Sequence, residues 1–355
     1  MPTQSWIREE LFQADFGDIR LNNRFKLLAD DLAEKPSASI NHASTDWAAA
    51  KAAYRFFQNP KVTEDKILSS HILSTQARAA GYKKVLVLQD TSTINFNTHS
   101  KTKGLSRTAK TSDGFESQGL KLHSSLMLTE KGLPLGLIDQ HISLKTHIKE
   151  DNSYKRKQIP REKKESFKWF RSLNEIESRS PDQEVILVCD READIYELFE
   201  DCLDKGIDFV IRARQSRMLE DEEIGDIGLF DRLGLEPVAA NTQVEIGSSG
   251  KRKARTAHLN VKFLPITYAA KPRGSNAKEY EKRSDLLLYV VHLQEDRPPK
   301  NTEPLSWTLI TSLPVETQEA ALEISKYYKM RWNIELYFKC LKTGCGVEKC
   351  RLNAG

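Results

Sequence analysis

The 355-residue sequence lacks any apolar run of about eighteen residues, the length that a membrane-spanning helix requires. Its first residues are acidic and amphipathic and contain no apolar core, so we predict no export signal. Cysteine is also scarce: an odd set of five in a large chain without an export signal favours free thiols in a reducing compartment. We therefore expect a cytoplasmic protein that does not bind a membrane.

Two further absences exclude classes of ligand. The sequence contains no GxxxxGK[ST] loop, the usual cradle for nucleotide phosphates, so we expect no use of ATP. Cys340, Cys345 and Cys350 are spaced C-x4-C-x4-C with no histidine nearby, whereas zinc knuckles commonly use C-x2-C. We predict free thiols there rather than a zinc site.

Charge is segregated along the chain, although the formal net charge is only +4. Residues 250–283 hold ten Lys or Arg against two acids, and residues 143–171 hold ten against four. A third basic block, 326–351, holds seven against two, whereas acidic residues gather at 219–231. Such blocks are typical of proteins that contact a polyanion, and the alternative is that they form solvated lysine-rich faces.

The first 65 residues predict a small helical domain. One helix should end before Pro36, because a residue that precedes proline disfavours helical backbone. The next helix should begin after Thr45 as its N-cap and stop at Asn59-Pro60.

The following residues indicate a mixed α/β sheet. The segments 83–90 and 184–190 are near-continuous apolar runs that each end in an aspartate, as expected of strands buried on both faces. Residues 122–144 alternate on both sides of Lys131-Gly132, which predicts a β-hairpin. Residues 215–312 predict strands with no intervening helix, hence a β insertion, and a long helix follows at about 317–342.

Asp90 and Asp190 occupy equivalent places at the ends of those two apolar runs. Ligands of open α/β sheets gather at the carboxyl ends of strands, and two nearby carboxylates repel each other unless a cation such as Mg²⁺ bridges them. The alternative for a single strand-end aspartate is a helix N-cap or a loop anchor, which suits Asp190 because a helix follows it.

The long helix supplies a third carboxylate. At about 100° per residue, Tyr328, Arg331, Glu335 and Lys342 fall within a stripe of about 60°. This stripe borders an apolar docking stripe of Tyr327, Met330, Ile334, Tyr337, Phe338 and Leu341. Three carboxylates can hold two divalent ions about 4 Å apart, and the Tyr, Arg and Lys side chains suit phosphate, so the set favours phosphodiester chemistry. The alternative is a solvated face with an Arg331–Glu335 pair.

At these residues the sequence resembles a known family. Tyr-x2-Arg-x3-Glu-x6-Lys resembles the YREK signature of bacterial cut-and-paste transposases of the Tn-five/IS-four group. Other segments resemble the same family in the same order: GDIRLNNR and AAYRFFQNPKV its N-terminal DNA-binding domain, LQDTSTINF and VCDREADIY its two aspartate segments, and PLSWTLITSLPV its last strand before the catalytic helix.

The resemblance implies an α/β fold: a ribonuclease-H-like mixed sheet with a β-strand insertion, preceded by a small all-helical DNA-binding domain. The implied domains are 1–65 for DNA binding, 66–214 for the first part of the catalytic core, 215–312 for the insertion and 313–355 for the C-terminal core helix. The resemblance also implies a catalytic and metal-binding triad of Asp90, Asp190 and Glu335. This triad would hold two Mg²⁺ ions, with Mn²⁺ able to substitute.

The same resemblance implies transposition in a bacterial cytoplasm, at the nucleoid. Water nicks double-stranded DNA at the inverted-repeat ends, a hairpin forms and reopens, and the freed ends attack target DNA within a homodimeric complex. Further DNA contacts are implied as follows: Tyr328, Arg331, Lys342 and Arg212 on phosphate, Trp307 on a flipped base, and Arg20, Arg24 and Arg55 on the terminal repeat. The alternatives are a core tryptophan at 307, a strand-end salt bridge at 212 and core packing at 55.

Family members continue beyond the position of Lys342 into a helical region that pairs two subunits, whereas this sequence ends thirteen residues after Lys342. The resemblance therefore predicts a chain that binds DNA and has a complete metal site but is impaired in pairing. Two other functions remain open: a truncated, non-transposing protein that competes for transposon ends, and a structure-directed nuclease on the same fold.

Overall fold

The computed structural model describes residues 5–97, 102–110, 116–144, 159–221, 224–248, 253–268 and 285–350. The chain divides into two compact units. Unit 1 comprises Met1–Gln183 and Asn333–Gly355, and unit 2 is the continuous segment Glu184–Trp332. No helix in the described part of the chain is long and apolar enough to cross a membrane.

Unit 1 begins with helices: α1 (Ser5–Glu10), α2 (Ile19–Glu34), α3 (Ile40–Ala43), α4 (Trp47–Phe57) and α5 (Glu64–Ala79). Helix α2 ends before Pro36, as predicted. The predicted N-cap at Thr45 is wrong by one residue, because the Asp46 carboxylate accepts the hydrogen bond from the Ala49 amide at 2.7 Å. The helices pack around the rings of Phe16, Phe25 and Phe56, whose centroids lie between 5.2 and 5.8 Å apart.

The rest of unit 1 comprises four strands and further helices: β1 (Lys84–Asn95), β2 (Ser106–Lys110), β3 (Glu116–Thr129), β4 (Pro134–Ser143), α6 (Phe167–Arg179) and, near the end of the chain, α10 (Trp332–Lys339). Strand β3 pairs antiparallel with β1 along its length, with β2 near its start and with β4 beyond that. The predicted hairpin is thus confirmed, and its turn uses Gly132 at φ 86°.

Strand β1 extends further than the sequence predicts. The prediction ends it at Asp90, whereas β1 stays paired with β3 as far as Asn95. What ends near Asp90 is full burial: Val85 to Gln89 are buried and Asp90 is half-buried. The polar residues after Asp90 include β-branched threonines, which fit a half-buried strand as well as apolar residues do.

Unit 2 contains β5 (Glu184–Cys189), α7 (Tyr196–Asp204), β6 (Asp208–Arg212), β7 (Met218–Asp221), β8 (Gly225–Gly228), α8 (Leu229–Leu235), β9 (Ala240–Ile246), β10 (Arg255–Tyr268), β11 (Leu286–Glu295), β12 (Ser306–Thr311) and α9 (Gln318–Met330). Six of its strands form a sheet in the order β5-β6-β12-β11-β10-β9. Only β5 and β6 are parallel among the pairs described within this sheet. Four strands of the predicted insertion, β9 to β12, therefore extend the sheet that contains β5, whereas β7 and β8 form a separate two-stranded sheet.

Two helix predictions need correction. Helix α8 interrupts the region 215–312, where no helix was expected; it spans only seven residues and buries Leu229 and Leu233, four positions apart. The single helix predicted at 317–342 is divided at Arg331 into α9 and α10, and a π-helical turn follows at Cys340–Gly344. Because such a turn changes the angle per residue, one helical wheel does not describe Tyr328 to Lys342.

Helix α5 is fastened to β4 by a charged network. The Glu10 carboxylate binds Arg78 Nη1 at 2.6 Å and His71 Nδ1 at 2.5 Å. The Leu137 amide donates to His71 Nε2 at 2.8 Å. Between these contacts Gly136 has φ +137°, and a Cβ added there would lie 2.2 Å from Thr75 Oγ1. Only glycine fits this position without displacing α5.

We predict that Gly136→Ala destabilises unit 1 by ~2 kcal/mol, through the strained φ and the clash with Thr75. For a unit of this size the thermal midpoint should fall by about 4–8 °C. Differential scanning calorimetry measures this shift. Gly81→Ala is the matched control, because no atom lies within 4 Å of the added Cβ. Equal midpoints for the two variants would contradict the close packing of β4 on α5.

Candidate functional site

In unit 2, five of the sequence-predicted residues lie around the last turn of α9. They are Asp190, Arg212, Trp307, Tyr328 and Arg331. The sheet accounts for the arrangement: Cys189 and Ile211 are partners in the parallel pair β5–β6, so Asp190 and Arg212 follow side by side. Strand β12 lies next to β6 and carries Trp307.

Tyr328 is the centre of this group. Its side chain is buried, and its hydroxyl is hydrogen-bonded to the Arg212 side chain. Arg212 Nη2 also donates to the Ser306 carbonyl at 2.9 Å, which fixes the guanidinium. Burial raises the pKa of Tyr328 above its usual 10, while Arg331 and Arg212 oppose that rise and Asp190 adds to it. The hydroxyl therefore stays protonated near neutral pH.

Trp307 packs against this tyrosine. The two rings meet edge to face, with centroids 5.1 Å apart and planes at 69°. Trp307 is half-buried and not fully buried, so it is not a pure core tryptophan. The group thus combines one carboxylate, two guanidinium cations, one neutral hydroxyl and one partly accessible aromatic ring.

Asp190 lies directly after β5, as predicted. Its Oδ1 accepts a hydrogen bond from the Glu192 amide at 2.9 Å and so caps the turn Arg191–Ala193. The N-cap alternative is therefore correct for this oxygen. A carboxylate has a second oxygen, so capping through Oδ1 is compatible with a ligand role.

In unit 1, Asp90 is held on the β1–β3 ladder. Its Oδ1 accepts a hydrogen bond from the Thr91 amide at 2.7 Å. Thr91 Oγ1 lies 2.9 Å from His123 Nδ1 on the neighbouring strand. His123 is buried against the edge of Trp169, and burial lowers its pKa well below 6.5, so this histidine is neutral. Successive strand residues point to opposite faces, so Thr91 braces the strand behind Asp90.

The third carboxylate, Glu335, lies on α10 in unit 1. Ile334 and Phe338 are buried on either side of it in sequence, which confirms these two members of the predicted docking stripe. Glu335 itself is half-buried, as is Lys342 in the π-helical turn.

The donor chemistry of Asp90, Asp190 and Glu335 suits Mg²⁺ or Mn²⁺, because both ions prefer carboxylate oxygens. Within the described ranges, no three or more His, Cys, Asp or Glu side chains form a group that could hold a metal ion. The residue types therefore fit the ion.

The three N-terminal arginines lie on the helices of unit 1. Arg20 is exposed and donates to both carboxylate oxygens of Asp18, at 3.2 and 3.0 Å, and this bonding lowers the pKa of Asp18 to about 2. Arg24 is one turn further along α2 and is half-buried. Arg55 is exposed in the last turn of α4, so it is not a packing residue.

Much of two predicted basic blocks lies outside the described residues. The first, 143–171, includes the undescribed segment 145–158. The second, 250–283, includes the undescribed segments 250–252 and 269–283. Their role as a polyanion footprint stays a prediction.

Sequence reasoning missed Lys329, the neighbour of Tyr328. Its Nζ donates to Thr242 Oγ1 at 3.0 Å and to the Gln243 carbonyl at 2.8 Å, which fastens α9 to β9. Burial lowers the pKa of this lysine. A lysine in a basic helix gives no sequence signal for such a contact, because its partners lie far away in the chain.

We predict that Arg212→Met raises the pKa of Tyr328 further, because it removes a hydrogen bond and a positive charge from the buried hydroxyl. The pKa is measured from the near-ultraviolet absorbance of ionised tyrosine after a rapid jump to alkaline pH. Comparison of each protein with its own Tyr328→Phe variant isolates the signal of Tyr328. Arg214→Met is the matched control, since the exposed Arg214 is bonded to Asp194 through its backbone amide. An unchanged pKa in Arg212→Met would show that the guanidinium does not act on Tyr328.

Comparison with known proteins gives two family matches. Residues 3–62 match the family described as transposase DNA-binding. Residues 139–354, more than half of the chain, match the transposase DDE domain. The second match includes Asp190 and Glu335 and begins after Asp90.

Among solved structures, the chain is similar to a piggyBac transposase in a synaptic complex with hairpin DNA. The similarity covers 98% of this chain at 9% sequence identity, with a TM-score of 0.41, which is too low to indicate a shared fold. This chain spans 66% of the length of that one, slightly less than two thirds. Membership rests instead on the match to the DDE domain, from which we conclude that the chain belongs to the DDE transposase family.

Proposed function

We propose that this protein is a cut-and-paste transposase of the Tn-five/IS-four group that cleaves and joins double-stranded DNA at the inverted-repeat ends of its element. One observation carries the proposal: Asp190 lies among two guanidinium groups, the Tyr328 hydroxyl and the Trp307 ring in unit 2. A carboxylate beside several phosphate-binding donors matches a site for phosphodiester chemistry.

Asp90, Asp190 and Glu335 are the proposed metal-binding carboxylates, on a ribonuclease-H-like core. When two divalent ions are bound, they supply a water activated for attack and a charge that stabilises the leaving 3′ oxygen. Because water is the proposed nucleophile, the reaction needs no covalent intermediate between the protein and the DNA.

The residues around Tyr328 are proposed to hold the DNA. Arg212 and Arg331 would bind phosphate oxygens, since guanidinium binds phosphate bidentately. Tyr328 would donate a hydrogen bond to a phosphate oxygen, because its raised pKa keeps the hydroxyl protonated. Trp307 would stack on a base flipped out of the strained hairpin, a contact worth about 1–3 kcal/mol. The ammonium group of Lys342 would add a positive charge that attracts a DNA phosphate.

Recognition of the element would fall to the helical part of unit 1. Arg55 is exposed on α4, and Arg20 and Arg24 are one turn apart on α2. Contacts of these side chains with phosphates and base edges would place the terminal repeat, and a homodimer would pair the two ends. The match of residues 3–62 to a transposase DNA-binding family supports DNA binding by these helices.

A second function is favoured by one observation. The match of residues 3–62 to a transposase DNA-binding family would also suit a protein that binds transposon ends without cutting them. Such a protein would compete with an active transposase for the same DNA.

We expect the purified full chain to nick a labelled duplex taken from the DNA that flanks its reading frame, at the repeat boundary and with Mg²⁺ or Mn²⁺. Glu335→Gln should reduce nicking at least about 100-fold, since even outer-shell changes at metal sites cost 10–100-fold. Glu319→Gln is the matched control, because Glu319 is exposed in the first turn of α9.

The outcomes separate the proposals. Nicking that Glu335→Gln abolishes and Glu319→Gln retains supports the transposase. Specific binding of the duplex without nicking, even with Mn²⁺, supports the end-binding competitor instead. Failure to bind any segment of the flanking DNA contradicts both.

A further inference from the structure

A network of three side chains joins α10 to the β3–β4 hairpin of unit 1. Gln140 Nε2 donates to Ser124 Oγ at 3.1 Å and to the Tyr337 hydroxyl at 2.5 Å. Tyr337 is also hydrogen-bonded to Ser124, so the network is closed. Its members come from β3, β4 and α10, and none of them belongs to the predicted triad or its DNA contacts.

The network reaches the sheet beside Asp90. Ser124 is the β3 partner of Asp90 in the antiparallel ladder. Directly opposite residues in such a ladder project to the same face, with Cβ atoms about 4.5–5.5 Å apart. Ser124 is fully buried, so the hydroxyl that Gln140 and Tyr337 bind is a fixed point of the sheet.

The network also fixes the helix that carries Glu335. Ile334 and Phe338 form the buried stripe of α10. At about 100° per residue, Glu335 and Tyr337 flank this stripe about 80° to either side. Apolar packing alone is non-directional and resists rolling of a helix weakly, whereas a hydrogen bond is directional. A bond at Tyr337 therefore restricts rolling of α10 about its own axis.

The bonds of the network depend on one another. Loss of one partner would leave the Gln140 amide and the buried Ser124 hydroxyl with fewer bonds, which is unfavourable away from water.

We infer that Tyr337 is a positioning residue for the catalytic carboxylates: through Gln140 and Ser124 it sets the direction of Glu335 relative to Asp90 within unit 1. This inference rests on the proposed function, because two metal-binding carboxylates are the groups that need such alignment. The docking role predicted for Tyr337 covers its ring, and its hydroxyl has this separate role.

The test compares Tyr337→Phe with Tyr327→Phe in the full chain bound to the flanking DNA duplex. Tyr327 is the matched control, because its hydroxyl donates to Glu323 of the same helix at 2.6 Å. Electron paramagnetic resonance of free Mn²⁺ gives the affinity of each complex for Mn²⁺ without reference to activity. Tyr337→Phe should weaken Mn²⁺ binding about tenfold, as expected for an outer-shell change, and Tyr327→Phe should not.

A parallel nicking titration should show the same tenfold increase in the Mn²⁺ concentration required for half-maximal rate. Wild-type affinity for Mn²⁺ in Tyr337→Phe overturns the inference and leaves the proposed function standing. A wild-type complex that neither binds Mn²⁺ nor nicks DNA overturns the proposed function, and the inference fails with it.

Gln140→Leu removes the bonds to Ser124 and Tyr337 from the side of strand β4. This variant replaces Tyr337→Phe in the test if Tyr337→Phe does not fold. The double variant should bind Mn²⁺ no more weakly than either single variant, because both changes remove one shared link. Losses that multiply in the double variant would show two independent effects and overturn the inference.

Discussion

Strand β1 stays paired with β3 as far as Asn95, while its fully buried run ends at Gln89. A hydrogen-bonded ladder therefore carries Asp90 at the border between the apolar interior and solvent. A carboxylate inside the interior would be neutralised by desolvation, and one on a loop would be held less firmly. Two other features of unit 1 support this placement. The Thr91–His123 bond braces the strand behind Asp90, and the network of Ser124, Gln140 and Tyr337 contacts the strand pair on the same face as Asp90.

In unit 2 a different arrangement holds the carboxylate of Asp190 at the end of a buried strand. Asp190 lies one residue past its strand, where Oδ1 caps the next turn. The parallel neighbour β6 ends at Arg212, whose guanidinium is bonded to the Ser306 carbonyl and to Tyr328. Burial keeps Tyr328 protonated, and the surrounding cations give the group a positive character suited to phosphate. Anchoring of α9 through Lys329 fixes the tyrosine relative to this sheet.

The sequence was informative where burial leaves a periodic pattern. The runs 83–90 and 184–190 predict strands because side chains buried on both faces are uniformly apolar, and both strands are present. The hairpin was predictable from alternation around Gly132, and the end of α2 from Pro36.

The misses share a physical cause. Polar strand residues after Asp90 resemble a loop, and a helix as short as α8 gives too few turns to show a period. The apolar residues keep a helical spacing on both sides of the break at Arg331, so the sequence predicts one continuous helix there. The bond between Gln140 and Tyr337 joins residues 197 positions apart, so nothing local in the sequence indicates it.

The proposed function requires Asp90, Asp190 and Glu335 to bind divalent ions in the DNA complex. The most direct test replaces Mg²⁺ with Fe²⁺ in the complex of the full chain with its flanking DNA. Added hydrogen peroxide oxidises the bound Fe²⁺ and releases hydroxyl radicals there, and ascorbate reduces the iron again. The radicals cut the nearby backbone, and mass spectrometry locates the cuts. The proposed function predicts cuts next to all three residues, suppressed by excess Mg²⁺. Cuts near only one of them, or at the acidic segment 219–231 instead, would contradict it.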